Sequence, residues 1–342
     1  MLGTNKETAA LSRIETLCAT NNYTEAIFLM EQVLETNDLP EFRTDYGMML
    51  LTVGRYLEGF RNYEYRLRCR EFRKANHFPY QPPGAAPLEV TEVVVAAEQG
   101  LGDTIQFMRY IPYLWNSAYV FCPEELVPIV SRMSSVIRAT SDETSLPPWV
   151  TVFPLLSLPL IARATLDNIP NTGAYITASK QGPLIPGKLS IGLCHKGRHG
   201  VLETQGRDRT MPYELLWGTT WAGGRRFNFI DLSLQRESVD VLTNIINELD
   251  LIITVDTLVA HLAGALAKPT WLMLPYNPEW RWMLDREDSP WYPTMRLFRQ
   301  SKPGDWEGVV NRIVMELAKI NSKEDIDQTL SKGAKNGTGC GT

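Results

Sequence analysis

Apolar positions follow two different periods along this chain. Up to about residue 75 they recur at helical spacing, as in NNYTEAIFLMEQVLE (21–35) and VGRYLEGFRNYEYRLR (53–68). After residue 90, short β-branched runs such as VTEVVVAA (90–97) alternate with helical stretches. This change of period predicts an all-α segment followed by parallel α/β units.

The two N-terminal helical segments share a signature with an offset of 33 residues. The matched pairs are Tyr23 with Tyr56, Glu25 with Glu58, and Ala26 with Gly59. A repeat of about 34 residues is typical of tetratricopeptide (TPR) helical hairpins, which usually need about three units to stand alone. We therefore predict a TPR-like helical region over residues 1–76. It either caps the α/β part of the chain, the interpretation we favour, or offers a groove to a partner.

Proline and glycine clusters divide the rest of the chain. HFPYQPPGAAPLE (77–89) predicts a linker, and a second break falls near Pro183–Gly187. Strand-like runs lie on both sides of that break: AYVFCP, VTVFPLLSL, PGKLSIGLCH, RFNFIDLSLQ, LDLIITVD and PTWLMLP. They predict two Rossmann-like domains facing a cleft, over residues 90–182 and 183–320. The second would end in the helix GDWEGVVNRIVMELAKI, followed by a disordered tail over 321–342.

Composition narrows the class of protein. A net charge of −5 gives no overall attraction to nucleic acid or anionic lipid, although a small basic groove stays open. The five cysteines are scattered without a C-x-x-C pair, which fits a reducing compartment. Neither a signal-peptide core nor a membrane-spanning run is visible, so we expect a cytoplasmic protein. No zinc spacing occurs, and the single Asp-x-Asp lies in the tail, so we predict no metal.

The stretch EQGLGDTI (98–105) interrupts a strand-to-helix turn with two glycines and an aspartate. Gly100 and Gly102 ease a tight turn, and Asp103 is a good N-cap residue. The alternative is that this turn forms the floor of a phosphate-handling cleft in which Asp103 reacts. It is not a dinucleotide fingerprint, because the third glycine would fall at Ile105.

A second candidate is VDTLVAHLAGALAKP (255–269), where a buried strand leads into a helix. Thr257, His261 and Gly264 fall on one helix face, and the helix N-terminus suits a diphosphate. We expect His261 to donate an N–H, more strongly if an anion raises its pKa. The alternative is an Asp256 that only caps the helix and a His261 that is satisfied within the fold.

Two further segments carry candidate chemistry. IGLCHKGRHGVLETQGRDRTMP (191–212) is the most cationic short stretch and follows a strand, where α/β sheets bind ligands; a solvated loop is the alternative. PYNPEWRWMLDREDSPWYPTMRLFRQ (275–300) is dense in aromatic residues. Its rings either stack on a sugar or base or fill a core between domains.

These segments together resemble the TPR-linked glycosyltransferases, which are relatives of the ADP-heptose heptosyltransferases (glycosyltransferase family 9-like) and, more distantly, of O-GlcNAc transferase. The resemblance runs from about residue 20 to 318 and is most specific over 251–300. It implies a GT-B architecture and a metal-independent, inverting transfer. It implies no cofactor, since the nucleotide-diphosphate sugar is a substrate.

The resemblance also implies residue roles. Asp103, next to Gly102 in the turn, matches the proposed general base, and Arg209 matches a phosphate-contacting lysine. The donor-binding D-T-x-x-x-H pattern falls on Asp256, Thr257 and His261. Two further donor-side residues are expected: Lys196 for charge compensation and Gln235 near the nucleobase.

The chain also departs from the heptosyltransferase pattern. Leu258 replaces a glycine, and the histidine often found shortly after the glycine-turn aspartate is absent, with Gln106 nearby, so heptose is not predicted as the donor sugar. The acceptor stays open between a saccharide, a protein and a modified nucleic-acid hydroxyl. Two other functions remain as alternatives: a nucleotide-sugar epimerase of the same fold, and a non-catalytic TPR scaffold with a relic cleft.

Overall fold

The structure is a computed structural model that describes residues 5–75, 78, 92–148, 151–171, 173–179, 188–196, 209–215, 226–234 and 237–336. Gln235, most of the predicted linker and the central part of the cationic loop lie outside the described residues. In the described ranges, no helix combines the length and the apolar character that crossing a membrane requires.

The N-terminal region is helical, and α1 packs on α2, α2 on α3, and α3 on α4. Small residues allow the tightest crossing, since a Cβ on Gly59 would lie 2.7 Å from Leu51 Cγ and one on Gly47 would lie 2.6 Å from Tyr63 N. The glycine of the repeat signature is therefore needed for packing. The helices are α1 (Asn5–Ala19), α2 (Tyr23–Thr36), α3 (Pro40–Thr52), α4 (Tyr56–Tyr63) and α5 (Arg70–Ala75).

The first sheet has four parallel strands in the order β3-β2-β1-β4. The strands are β1 (Val93–Ala96), β2 (Ala118–Phe121), β3 (Val136–Thr140) and β4 (Thr151–Pro154). Its helices are α6 (Leu101–Phe107), α7 (Ile111–Leu114), α8 (Val127–Val130) and α9 (Leu158–Ile161). The buried β1, a run of three valines and an alanine, occupies an inner position, so the loop after it reaches the middle of the sheet edge.

The second sheet has five parallel strands in the order β6-β5-β7-β8-β9. The strands are β5 (Leu189–Cys194), β6 (Phe227–Asp231), β7 (Leu251–Val255), β8 (Thr270–Leu274) and β9 (Met295–Arg299). The helices are α10 (Val239–Glu248), α11 (Leu258–Ala265), α12 (Trp306–Leu317) and α13 (Lys323–Asn336). The prediction of two parallel α/β sheets is thus confirmed. Strands β3 and β9 were not among the strands predicted from the sequence.

The predicted disordered tail is wrong over most of its length. Helix α13 forms there, Ile326 is buried, and Trp271 Nε1 donates to Thr329 Oγ1 at 3.2 Å. Ile326 and Leu330 lie one helical turn apart, and both pack on the second sheet's core. The second sheet therefore orders a segment that looks polar in isolation. Residues 337–342 lie outside the described part of the chain.

The aromatic segment 275–300 belongs to the interior. Trp280, Trp282, Trp291 and Tyr292 are each at most 3% exposed. Trp291 stacks on Tyr56 of the helical region, with ring centroids 5.8 Å apart. The same apolar core includes residues of the helical region and of both sheets. Of the two interpretations, core packing between the parts of the protein is the one that the structure supports.

Candidate active site

The glycine turn after β1 is capped at the start of α6 by the Asp103 side chain alone, because the N-cap residue Gly100 has no side chain. The helix begins at Leu101 rather than at Asp103, with Gly100 as its N-cap residue. Asp103 lies in the first turn, and its Oδ2 accepts a hydrogen bond from the Gly100 backbone N–H at 3.1 Å. The carboxylate satisfies an otherwise free donor near the positive end of the helix, which fixes its orientation.

The loop after β7 meets this turn directly. Thr257 is the N-cap residue of α11, and His261 lies in the first turn and a half of that helix. A Cβ on Gly102 would lie 2.6 Å from His261 Cδ2, closer than real Cβ contacts occur. Gly102 is therefore required for the two loops to touch. Residues from the carboxyl ends of strands in two different sheets thus converge at one place, where parallel α/β sheets bind ligands.

Asp256 forms the buried acidic part of the site. Its Oδ2 lies 3.2 Å from Arg209 Nη1, which also donates to the Asp256 carbonyl oxygen at 3.3 Å. Burial on its own would raise the pKa of Asp256, but the nearby guanidinium groups of Arg209 and Arg281 lower it below its ordinary value. Asp256 is therefore an anion paired with a partly exposed guanidinium.

His261 is buried and neutral. Its Nδ1 is 2.9 Å from Tyr292 Oη, and its Nε2 is 4.0 Å from Asp256 Oδ1. Burial, reinforced by the positive charge of Arg281, lowers the pKa of His261 to about 3. The neighbouring cation and the dry environment outweigh Asp256 here, and the increase in pKa expected beside a bound anion stays a prediction.

Gly264 allows a close approach of another side chain to α11. A Cβ at this position would lie 2.2 Å from Tyr292 Cδ1. The close neighbour that the glycine admits is therefore a tyrosine of the same chain, and this ring carries the hydroxyl that contacts His261. Gly264 therefore contributes to the site indirectly, by leaving room for the Tyr292 ring.

Arg281 is the site residue that the sequence analysis missed. It belongs to the segment after β8, and its Nη2 donates to Asp103 Oδ1 at 2.5 Å. Its Nη1 lies 2.9 Å from Glu279 Oε2, so one guanidinium bridges two carboxylates. The segment EWRWMLDRE contains a glutamate and an arginine that could have been recognised as candidate site residues. The neighbouring tryptophans led us to consider only stacking and core packing for this segment.

The remaining predicted residues lie around this centre or outside it. Lys196 is exposed just after β5, at the same edge of the second sheet. Thr257 Oγ1 lies 3.8 Å from Cys194 Sγ and 3.3 Å from Thr254 Oγ1. His195, from the cationic stretch, is buried with Nδ1 3.2 Å from the Met211 carbonyl oxygen. Gln235 lies outside the described residues.

The site contains similar numbers of acidic and basic side chains. Asp103, Asp256 and Glu279 face the cations Arg209 and Arg281, with Lys196 at the exposed edge. Among the residues that the structure describes, no three histidine, cysteine or acidic side chains are arranged to hold a metal ion. An anionic ligand at the exposed edge would meet guanidinium and ammonium groups first.

No family model matches the chain, and no curated protein matches its sequence. Several solved structures are similar to it. The iron-containing dodecameric glycosyltransferase TibC from enterotoxigenic E. coli H10407 is 10% identical, with 74% of this chain and 80% of that chain covered and a TM-score of 0.45.

Two further solved structures give comparable values. The E. coli heptosyltransferase WaaC, solved with ADP-2-deoxy-2-fluoro heptose, is 9% identical over 70% of this chain and 99% of its own, with a TM-score of 0.42. A glycosyl transferase family 9 protein from Veillonella parvula DSM 2008 is 11% identical over 73% and 98%, with a TM-score of 0.44. At these values the likenesses decide neither the fold family nor the activity of this chain.

Proposed function

We propose that this protein is a metal-independent, inverting glycosyltransferase that moves a sugar from a nucleotide-diphosphate sugar to an acceptor hydroxyl. The observation that carries the proposal is the contact between Gly102 and His261. It brings the Asp103 carboxylate, in the helix after β1, close to the strand-end loop of the second sheet. A carboxylate on one wall and cations on the other are what such a transfer needs.

On the donor side, the diphosphate would lie at the exposed edge of the second sheet, against the start of α11. Arg209, whose side chain is 38% exposed, and the exposed Lys196 would compensate its charge. Negative charge grows on the leaving nucleoside diphosphate as the glycosidic bond breaks, so fixed cations lower the barrier selectively. This compensation by side chains supports a reaction without a metal. Thr257 supplies a hydroxyl at the helix start, and Gln235 near the base remains a prediction.

On the acceptor side, Asp103 would act as the general base. Its side chain is 21% exposed, and two donors, Arg281 and the Gly100 N–H, fix its orientation. Asp103 takes the proton of the acceptor hydroxyl while the acceptor oxygen attacks the anomeric carbon. The bond from that carbon to the diphosphate breaks, and attack from the opposite face inverts the configuration. General-base assistance of this kind contributes about 10²- to 10⁴-fold.

We also propose a GT-B arrangement of the two sheets and a TPR-like helical region. The two parallel sheets with adjoining strand-end loops support a GT-B arrangement with the donor on the second sheet. The four packed N-terminal helices and the close α3–α4 crossing at Gly59 support a TPR-like origin of the helical region. The acceptor, the donor sugar and the nucleobase are not specified by these features.

A nucleotide panel followed by a transfer assay tests the proposal. Full-length protein is heated with each common nucleoside diphosphate, and a ligand at 100 times its Kd should stabilise the fold by about 2.7 kcal/mol. The matching nucleotide sugars are then supplied with saccharide, peptide and RNA acceptors, and the released nucleoside diphosphate is measured. Product analysis without an acceptor separates transfer from epimerisation. Absence of both stabilisation and release across the panel would refute the proposal.

A further inference from the structure

Two side chains at the end of the helical region hold the loop that carries Asp103. Gln99 Nε2 donates a hydrogen bond to Tyr63 Oη at 2.8 Å. The Arg66 guanidinium donates to both carboxylate oxygens of Glu98, at 2.9 and 2.8 Å. Glu98 and Gln99 stand immediately before the N-cap residue of α6, so both anchors act within five residues of Asp103.

The ionic anchor is buried and fully engaged. The Arg66 side chain is 4% exposed and that of Glu98 is 0% exposed. Glu98 also accepts from the Leu156 backbone N–H at 2.9 Å, and Arg66 also binds Glu64 and Ser157. Buried ion pairs seldom add net stability over apolar packing of the same volume, but they compensate their desolvation only when the two groups keep a well-defined geometry. The cluster therefore fixes the loop relative to both the helical region and the end of β4.

The loop needs such anchors because its own backbone does not restrict it to one conformation. Gln99 and Gly100 are exposed, and glycine at positions 100 and 102 leaves more conformational freedom than any other residue would. The hydrogen bond from the Gly100 N–H orients the Asp103 carboxylate only relative to the turn, so outside contacts must set the position of the turn itself. Tyr63 and Arg66 hold the loop from one side, and Arg281 holds the carboxylate from the other.

We propose that Tyr63 and Arg66 are positioning residues for Asp103, so that the helical region takes part in the reaction through this loop. The inference rests on the proposed function, in which Asp103 is the base. It gives the helical region a role that is independent of any partner, because Tyr63 and Arg66 hold the residues that precede the turn of Asp103.

Tyr63→Phe tests the proposal, with Tyr46→Phe as the matched control. Each variant loses one tyrosine hydroxyl contact in the helical region, since Tyr46 donates to Glu31 at 2.7 Å. The exposed Gln99 can bind water in Tyr63→Phe, so the variant should fold. A misplacement of about 1 Å can cost about 100-fold in rate, and we expect a smaller displacement to cost about tenfold in turnover. Nucleotide Kd should stay within about twofold, because the donor cations lie on the other wall.

Hydrogen exchange supplies a readout that does not depend on activity. Backbone amides of residues 99–104 should exchange faster in Tyr63→Phe than in the wild type or in Tyr46→Phe. If the two variants show equal losses of melting temperature and neither changes exchange or turnover, Tyr63 is merely structural and the proposal is overturned. If the wild-type protein transfers no sugar, the proposed function fails by itself. The exchange comparison then still decides whether Tyr63 anchors the loop.

Discussion

Arg281 and Asp103 form an ion pair between the two sheets' site loops, with Nη2 and Oδ1 2.5 Å apart. Arg281 follows β8, and Asp103 follows β1. The Arg281 side chain is 9% exposed and also pairs with Glu279. One guanidinium thus sets the position of the proposed base relative to the donor side, and its removal leaves two neighbouring carboxylates without their shared cation.

Arg281→Gln should destabilise the protein in a way that depends on pH. Breaking a buried ion pair costs about 3 kcal/mol. Burial raises the pKa of Glu279 even beside Arg281, and loss of the cation raises it further. A carboxyl with a raised pKa in the folded state binds more protons there, so its contribution to stability is lost as the pH rises. The deficit in unfolding free energy should be larger at pH 7 than at pH 5.

Urea unfolding at the two pH values measures this deficit. Arg286→Gln is the matched control, because Arg286 pairs with Asp288 in the same segment but is more exposed. That pair should be worth about 1 kcal/mol or less. An Arg281→Gln deficit that is no larger than the control's, or that does not change with pH, would contradict the bridging role.

Asp103→Asn should remain folded, because Arg281 keeps its pair with Glu279, and should lose most turnover. The amide is isosteric with the carboxylate but cannot accept the acceptor's proton, so turnover should fall about 10²- to 10⁴-fold. Nucleotide affinity should be retained, because the donor-side cations are untouched. Asp327→Asn, on the exposed face of α13, controls for the loss of one negative charge. Full activity of Asp103→Asn would exclude Asp103 as the base.

Arg209→Ala should weaken nucleotide binding without unfolding the protein. Its guanidinium is the partly exposed partner of the buried Asp256, and without it an incoming diphosphate would lose a cation and lie closer to the negative charge of that carboxylate. Calorimetry with the nucleoside diphosphate found in the panel measures the change, which we expect to be at least about tenfold in Kd. Arg226→Ala removes an exposed arginine from the same half of the protein and should leave Kd unchanged. Equal affinities in the two variants would contradict the phosphate role.

His261 should make the protein sensitive to acid. Its pKa is about 3 in the folded state, against an ordinary value of about 6.5 when unfolded. The unfolded chain therefore binds a proton that the folded protein does not, so stability falls as the pH drops below about 6.5. Between pH 7 and pH 5 this histidine should cost about 2 kcal/mol of unfolding free energy.

Urea unfolding of the wild type and of His261→Gln at these two pH values isolates the effect. The variant should lose less stability on acidification, by about the same 2 kcal/mol. In NMR spectra of the wild type, the ring signals of His261 should also not shift between pH 7 and pH 5. Parallel pH profiles for the two proteins would mean that His261 is not held neutral.

Much of the architecture is determined by local pattern. The glycine turn before α6, the strand-to-helix junction at Asp256 and the closing helix α12 lie where their residues predict them. Strands β3 and β9 were missed because each carries arginines, Arg138 in one and Arg296 and Arg299 in the other, which break the apolar pattern. The tail was misjudged because Ile326 and Leu330 signal a helix only when a sheet is present to cover them.

The sequence by itself determined which residues could do chemistry, since glycine freedom, helix N-termini and side-chain charge are local properties. Only the tertiary structure decided which of them meet. Arg281 pairs with a residue 178 positions away, and His261 loses its ordinary pKa through burial and a cation from another segment. Ion pairing and desolvation depend on distance in space and on the exclusion of water, and neither quantity is encoded in the spacing of residues along the chain.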